Sequence, residues 1–330
     1  MKVARRVLLL GATGRLGMAI AKRIELHASA RIELPASARM DARGSAHETD
    51  PSSAGPALEL FAPSRVALAL DVRKPIEAAE RWIEMWKPEV IVNCIATSDV
   101  DHCEHEPLEA IRINAELPGA LAKAARRANA HLVHFSTDFV FDGELRRPYR
   151  EDDQAVPLSV YGESKLRGEK AIASENPSHW VFRISWLYGS RERNLAATLL
   201  DPDNAGRAIA LAADRVGVPN PVQLLAREVV MAIGSVQAPQ RPASGIYHLS
   251  CRGQTTWHEF GRAFVAQAID AGFLVPDRAP RIEATNEKTA GRLARRPPWS
   301  VLDPSKYEAA FDRPLPDWRS AITLALQRGE

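Results

Sequence analysis

Cysteine is scarce in this 330-residue chain. Cys94, Cys103 and Cys251 are spaced for neither a disulfide framework nor a zinc site. Cys94 falls in an apolar, strand-like run and reads as a small core residue. An excess of either charge is also lacking: 43 Lys and Arg stand against 41 Asp and Glu, a net charge of +2. That balance excludes the broad electrostatic attraction of a nucleic-acid or membrane-surface binder. The basic run Arg292-Leu293-Ala294-Arg295-Arg296 is short and suits a solvated or anion-binding patch. No apolar run is long enough to span a bilayer, and no internal repeat is visible. The first 14 residues begin as a signal peptide would, but the apolar stretch is short and runs into a glycine turn. The expected compartment is the cytoplasm. His102, Cys103, Glu104 and His105 have metal-like chemistry, yet they sit where a helix begins after a strand, so no metal site is expected. His131 and His134 flank an apolar strand and read as structural.

What is present is an ordinary globular composition, 45% hydrophobic and 25% charged, at a length that supports a large core and two domains. The first half alternates strand and helix. Val7–Leu10, Val66–Leu70, Val90–Val92 and Leu132–Phe135 are short apolar strands. Leu16–His27, Ile76–Trp86 and Leu108–Ala128 have helical patterns. Continuously apolar strands separated by helices predict a doubly wound, parallel α/β domain with a Rossmann-type sheet. Residues 36–65 interrupt the pattern and predict an inserted loop. After Trp186 the alternation loosens, prolines become frequent, and Trp257, Trp299 and Trp318 scatter through the last third. The expected division is a nucleotide-binding domain over 1–185, with part of 214–242 returning to it. A smaller α+β substrate region is expected over 186–213 and 243–330.

Gly11-Ala12-Thr13-Gly14-Arg15-Leu16-Gly17 follows the first strand and opens the first helix. Glycines there permit a tight turn and close approach of a pyrophosphate, and the helix N-terminus supplies N–H donors. Dinucleotide binding is the expected role. An acid after the second strand selects NAD, but none follows Arg31-Ile32-Glu33-Leu34. Arg15, Arg39 and Arg43 could each meet a 2′-phosphate, so NADPH is expected, with NADH as the alternative.

Tyr161 and Lys165 lie four residues apart in Y-G-E-S-K, on one face of a helix. They follow Ser136-Thr137-Asp138 at the end of a strand. A cation beside a phenol favours the phenolate and lowers its pKa from about 10. A hydroxyl from the strand end can hold a carbonyl oxygen against the phenol. These are the parts needed to move a proton to or from a carbonyl or an alcohol.

Together these motifs resemble the extended short-chain dehydrogenase/reductase superfamily. Finer matches resemble the dTDP-4-dehydrorhamnose reductase family: V-N-C-I-A-T-S-D-V-D-H-C-E (92–104), S-T-D-F-V-F-D-G (136–143), Y-G-E-S-K-L-R-G-E (161–169), R-I-S-W-L-Y-G (183–189), D-R-V-G-V-P-N (214–220), G-I-Y-H-L-S (245–250) and R-R-P-P-W-S-V-L-D (295–303). The resemblance implies an NAD(P)H-dependent reductase of a 4-keto-6-deoxy sugar on a nucleoside diphosphate. It places Thr137, Tyr161 and Lys165 on catalytic positions. Cofactor positions are Gly11, Thr13, Gly14, Arg15, Leu16, Gly17, Asp71, Val72, Ala96, Thr97, Asn114 and Ser136, together with Tyr161 and Lys165. Substrate positions are Asp138, Phe139, Trp186, Asn194 and Arg296, the last as a diphosphate partner. A homodimer is allowed. Tyr161 would give a proton to the C4 oxygen, Lys165 would lower the Tyr161 pKa and bind ribose, and Thr137 would hydrogen-bond the developing negative charge.

Departures touch the substrate side: Phe139 stands where the family usually has Tyr, Thr97-Ser98-Asp99 replaces a Tyr-containing segment, and Asn220 replaces Thr. They leave the sugar and the nucleotide open. Related dehydratases carry an Asp-Glu pair after the Thr; Thr137-Asp138-Phe139 lacks the second acid, which disfavours dehydration. Epimerisation needs only the same trio and a retained cofactor and stays open. A non-enzymatic regulatory subunit on this fold is the reading from another class, against which the intact trio argues.

Overall fold

Runs of consecutive apolar residues become strands covered on both faces. A computed structural model describes residues 5–26, 31–33, 58–62, 74–189, 194–286 and 292–327. The strands in chain order are β1 (Arg5–Leu10), β2 (Arg31–Glu33), β3 (Leu58–Phe61), β4 (Val90–Asn93), β5 (His131–Thr137), β6 (His179–Ile184), β7 (Leu187–Tyr188), β8 (Ala208–Ala212), β9 (Val216–Gly217), β10 (Asn220–Pro221), β11 (Gly245–His248), β12 (Thr255–Thr256) and β13 (Arg281–Thr285). Seven of them form one sheet in the order β11-β6-β5-β4-β1-β3-β2, with every pairing parallel. This is the doubly wound α/β fold that the alternation predicts.

The strand order reverses between β1 and β4, and in open α/β sheets ligands bind outside the carboxyl ends of the strands at such a point. Alternate residues feed two cores. Val7, Leu9, Val90, Val92, Val133 and Phe135 pack into one, and Leu8, Leu10, Ile91 and Leu132 into the other. Burying each such side chain contributes about 1.5–3 kcal/mol. Against that gain Asn93, His134 and Ser136 stand out as buried polar residues in the same strands.

Three differences from expectation have local causes. Leu58–Phe61, expected inside an irregular insertion over 36–65, is β3 and pairs with both β1 and β2; Glu59 interrupts its apolar run, which hides the strand in the sequence. The rest of that insertion that falls in 34–57 and 63–65, and the strand expected at Val66–Leu70, lie outside the described residues. The helix expected over 108–128 is instead Pro107–Ile111, a π-helical turn Arg112–Glu116 and Leu117–Arg127. Pro118 has no N–H to give the Asn114 carbonyl four residues back and its ring crowds it, which favours the wider turn. Finally, β11 pairs with β6 at the sheet edge, so part of 243–330 belongs to the central sheet; a four-residue edge strand among prolines gave no pattern to read.

The remaining strands make two-stranded pairs, β7 with β10, β9 with β12, and β8 with β13. The helix Trp257–Asp270 packs against the β8/β13 pair and is capped by Thr256, whose hydroxyl accepts from the Glu259 N–H. Among the described residues no helix is long and apolar enough to cross a membrane.

Candidate active site

A cavity of about 940 Å³ opens at the carboxyl end of the sheet, walled by the glycine turn, the ends of β4, β5 and β6, the helix Val160–Glu175, and the β8/β9 region. Its size falls in the upper part of the range for small-molecule and cofactor sites. The helix Val160–Glu175 is aimed by its cap: the Ser159 hydroxyl accepts from the Gly162 N–H. That start places Tyr161 in the first turn and Lys165 one turn on, both lining the cavity with Ser136, Thr137, Asp138 and Phe139.

Thr137 is the hub of this wall. Its hydroxyl donates to Asp138 Oδ1 at 3.1 Å and accepts from the Phe139 N–H at 3.2 Å. Phe139 meets the Tyr161 ring edge-on, centroids 5.7 Å apart. Burial decides the charge states. It drives the Tyr161 phenol well above its ordinary value, with Asp138 and Cys103 adding to the rise and Thr137 opposing it. Burial likewise raises the Asp138 carboxyl to about 6 against hydrogen bonds from Ser300 and Thr137. It lowers Lys165 to about 8, against the opposing pull of Glu169 and Cys94. The expectation that Lys165 lowers the Tyr161 pKa is therefore not met in this structure. The Lys165 Nζ lies 3.3 Å from His134 Nε2, and desolvation of the phenol outweighs any help from the amine.

The glycine turn fits a dinucleotide. Gly11 has φ +79°, and a Cβ there would lie 2.8 Å from the Cys94 carbonyl carbon; a Cβ on Gly17 would lie 2.2 Å from the Gly11 carbonyl oxygen. Only glycine permits this approach of strand, turn and helix. Gly14, Arg15, Leu16 and Gly17, at the helix N-terminus, line the cavity, where N–H groups and the helix dipole favour a phosphate. Among the described residues the buried Ser136 hydroxyl has no hydrogen-bond partner, a polar atom that a bound ribose or sugar would satisfy.

Other expected site residues sit further back. Gly11, Thr13 and Thr97 shape the walls beside the lining residues Gly14, Ala96 and Ser98. Asn114 does not line the cavity. Its amide accepts from the Thr97 N–H at 3.0 Å and donates to the Thr97 carbonyl at 2.9 Å and to Ser164 Oγ at 3.0 Å, clamping the 96–98 segment to the helix that carries Tyr161. Asn194 also lies off the lining: its side-chain oxygen accepts from the Ala196 and Ala197 N–H groups and its NH2 donates to the Gly189 carbonyl. A helix start claimed the group expected on the substrate. Arg296 reaches the cavity, but its guanidinium is engaged with Asp101, Nη2 to Oδ2 at 2.8 Å, so an ion pair occupies the fork expected on a diphosphate. Asp71, Val72, Arg39 and Arg43 lie outside the described residues.

Trp186 lines the cavity at φ +42°, an uncommon value for a bulky residue. Its indole stacks on Trp257 with centroids 4.0 Å apart and planes 8° from parallel. Trp257, Arg215, Ser300 and Asp101 were not singled out from sequence. Trp257 looked like one of several scattered aromatics, whereas Arg215 and Ser300 lay within quoted motifs without a chemical signal of their own. Among the described residues no group of three His, Cys, Asp or Glu side chains could hold a metal.

A hydroxyl at the end of β5, a Tyr-x-x-x-Lys helix and a glycine turn around one cleft of a doubly wound sheet define an extended short-chain dehydrogenase/reductase. The family profile described as the RmlD substrate binding domain matches residues 5–330. The dTDP-4-dehydrorhamnose reductase of Shigella flexneri is 37% identical over 257 residues, 78% of this chain and 84% of the relative. A probable dTDP-4,6-dihydroxy-2-methyloxan-3-one 4-ketoreductase of Streptomyces antibioticus is 36% identical over 259 residues, 78% of this chain and 83% of the relative. Among solved structures, the Bacillus anthracis dTDP-4-dehydrorhamnose reductase in complex with NADP superposes with a TM-score of 0.79 at 23% identity, covering 98% of this chain and 99% of the other, a likeness of fold. The chain belongs to the dTDP-4-dehydrorhamnose reductase family.

Proposed function

We propose that the protein is an NADPH-dependent reductase of a nucleoside-diphosphate 4-keto-6-deoxy sugar, of the dTDP-4-dehydrorhamnose reductase type. The observation that carries the reading is the convergence of Thr137, Tyr161 and Lys165 on one cavity wall, with the glycine turn on the same cavity. The kinship with reductases and a ketoreductase of dTDP sugars supplies the substrate class. In this reading Gly14, Arg15, Leu16 and Gly17 hold the pyrophosphate, and Ala96, Ser136, Tyr161 and Lys165 border the rest of the cofactor. Arg15, on the cavity wall, favours the 2′-phosphorylated form, in keeping with the NADP-bound relative.

The nicotinamide, when bound, supplies the hydride. The chain's own residues handle the proton and the charge. Tyr161 gives its phenolic proton to the C4 oxygen, and a phenol held neutral by burial is poised as a donor. Thr137 turns its hydroxyl proton from Asp138 to the same oxygen as negative charge grows on it. Asp138, Phe139 and Trp186 border the sugar, and Asn114 holds the 96–98 wall in place. A cytoplasmic homodimer is the assembly that goes with this reading.

NADPH oxidation followed at 340 nm with dTDP-4-keto-6-deoxy sugars of several configurations tests it. Tyr161→Phe should lower kcat by about 10²–10⁴-fold with KM little changed. No oxidation with any of these sugars, or full turnover in Tyr161→Phe, would sink the assignment.

A further inference from the structure

Three buried polar groups on neighbouring elements form a chain that the proton transfer at Tyr161 does not use. Asn93 ends β4, His134 lies beside it on β5, and Lys165 reaches in from the helix above. All three are buried. The Asn93 amide is oriented by the backbone, because its Oδ1 accepts from the Ile95 N–H at 3.1 Å. Its NH2 therefore faces His134 Nδ1, 3.1 Å away. A donor there makes Nδ1 an acceptor, and a neutral imidazole then carries its proton on Nε2. Nε2 in turn faces Lys165 Nζ at 3.3 Å. Reversing the ring tautomer would set Nδ1–H against the Asn93 NH2, and flipping the amide would set that NH2 against the Ile95 N–H.

We propose that His134 is a positioning residue for Lys165: it presents Nε2–H to the amine, which accepts this hydrogen bond as a neutral group and turns from His134 towards the cavity when it gains a proton. An ammonium has three donors and no lone pair, so it has no favourable contact with Nε2–H. The position of Lys165 is thus coupled to its charge. Burial acts in the same direction, lowering the lysine to about 8 and holding His134 neutral. The other titratable and charged groups around the pair are Glu169, itself bound to Arg183 of β6, the Cys94 thiol after β4, and Tyr161 one turn earlier. Asp138 and Cys103 lie beyond Tyr161. Glu169 favours the ammonium, so the balance at Lys165 lies between that carboxylate and the imidazole N–H.

The titration of Lys165 tests this without cofactor or substrate. In protein carrying 13Cε-lysine, the resonance lost in Lys165→Arg reports the midpoint, expected near 8. His134→Gln can turn its amide oxygen to the amine and should raise the midpoint by about one unit or more. Asn93→Asp keeps an acceptor for the Ile95 N–H and offers a second one to the ring, which draws the ring proton onto Nδ1 as a donor and leaves Nε2 bare; it should raise the midpoint likewise, and it serves if His134→Gln does not fold. A midpoint unmoved in a folded variant, or a parent midpoint at the ordinary lysine value, overturns the inference. The consequence for turnover rests on the reductase reading: the alkaline limb of the kcat profile should move in step with the resonance. A shifted resonance in a protein that turns over no keto sugar would uphold the pairing and sink the reductase reading instead. A purely structural His134 would lower kcat at every pH without moving either midpoint.

Discussion

Replacing Gly217 by alanine should unseat Trp186. A Cβ on Gly217 would stand 2.4 Å from Trp186 Cε2, 2.5 Å from Cζ2 and 2.8 Å from Nε1, whereas carbon atoms in contact settle at about 3.5–4.0 Å. The indole must withdraw by roughly 1 Å, and it is poorly placed to do so. Its backbone is held at φ +42°, its carbonyl accepts from the Asn220 N–H at 3.1 Å, and its ring is stacked on Trp257. Overpacking such a site costs about 1–3 kcal/mol, and opening the aromatic pair adds about 0.5–1.5 kcal/mol. A combined loss of about 1.5–4.5 kcal/mol should lower the melting temperature by several degrees. Thermal unfolding would read the stability, and near-ultraviolet circular dichroism the coupled tryptophans. On the proposed function, KM for the nucleotide sugar should rise more than kcat falls, because the wall beside the sugar moves while Thr137 and Tyr161 do not. The smaller ring of Trp186→Phe should recover part of the loss in the double variant. An unchanged melting temperature with an unchanged tryptophan band, or the same loss with Phe at 186, would refute the steric account.

Two further outcomes are expected. Glu169 and Arg183 form a buried fork, with distances of 2.9 and 2.7 Å and side chains 2% and 3% exposed; Glu169→Gln should cost about 3–5 kcal/mol in urea unfolding by stranding the guanidinium, and a loss below about 1 kcal/mol would contradict this. Asp138, raised from 3.8 to about 6 by burial, carries a folded-state cost that is absent below its ordinary pKa and fully present above about 6. Asp138→Asn should therefore stabilise the fold by roughly 2–3 kcal/mol at pH 7.5 and by little at pH 4, and an equal effect at both pH values would argue against burial as the cause.

What was legible in the sequence was what is local. Val7–Leu10 and Leu132–Phe135 declare themselves because a strand covered on both faces is a run of apolar residues, and Tyr161 and Lys165 because one helical turn fixes their relation. Leu58–Phe61 failed that test, since Glu59 breaks its apolar run, although pairing with β1 and β2 makes it a strand. Partner choice was the other failure. Asn194 and Arg296 have the chemistry for a sugar and a diphosphate, but the Asn194 side chain satisfies a helix start and Arg296 meets Asp101 from a distant helix. Nothing in either local sequence shows those partners. His134 is the inverse case: as a residue beside an apolar run it reads as structural, and only the register that sets Asn93 beside it and the helix that lowers Lys165 onto it give it a chemical neighbour.

The same burial that hides these partners from the sequence organises the site. Tyr161, Asp138 and Lys165 are each pushed towards their neutral forms. Burial penalises each of these charges before substrate arrives, so none of the three is held firmly in its ionised form. Negative charge appearing on a carbonyl oxygen beside Thr137 would then draw both nearby hydroxyls to it. Proton donation by Tyr161 becomes favourable as that charge grows, and a cation arriving at Lys165 would stabilise the phenolate left behind. On this account the useful property of Lys165 is an ability to change charge near neutral pH, which a lysine held permanently as ammonium by a close carboxylate would lack. Glu169 could have been that carboxylate, but its two oxygens are taken by Arg183. The buried fork thus leaves Lys165 adjustable, and breaking it should disturb the pH dependence of the site as well as the stability of the fold.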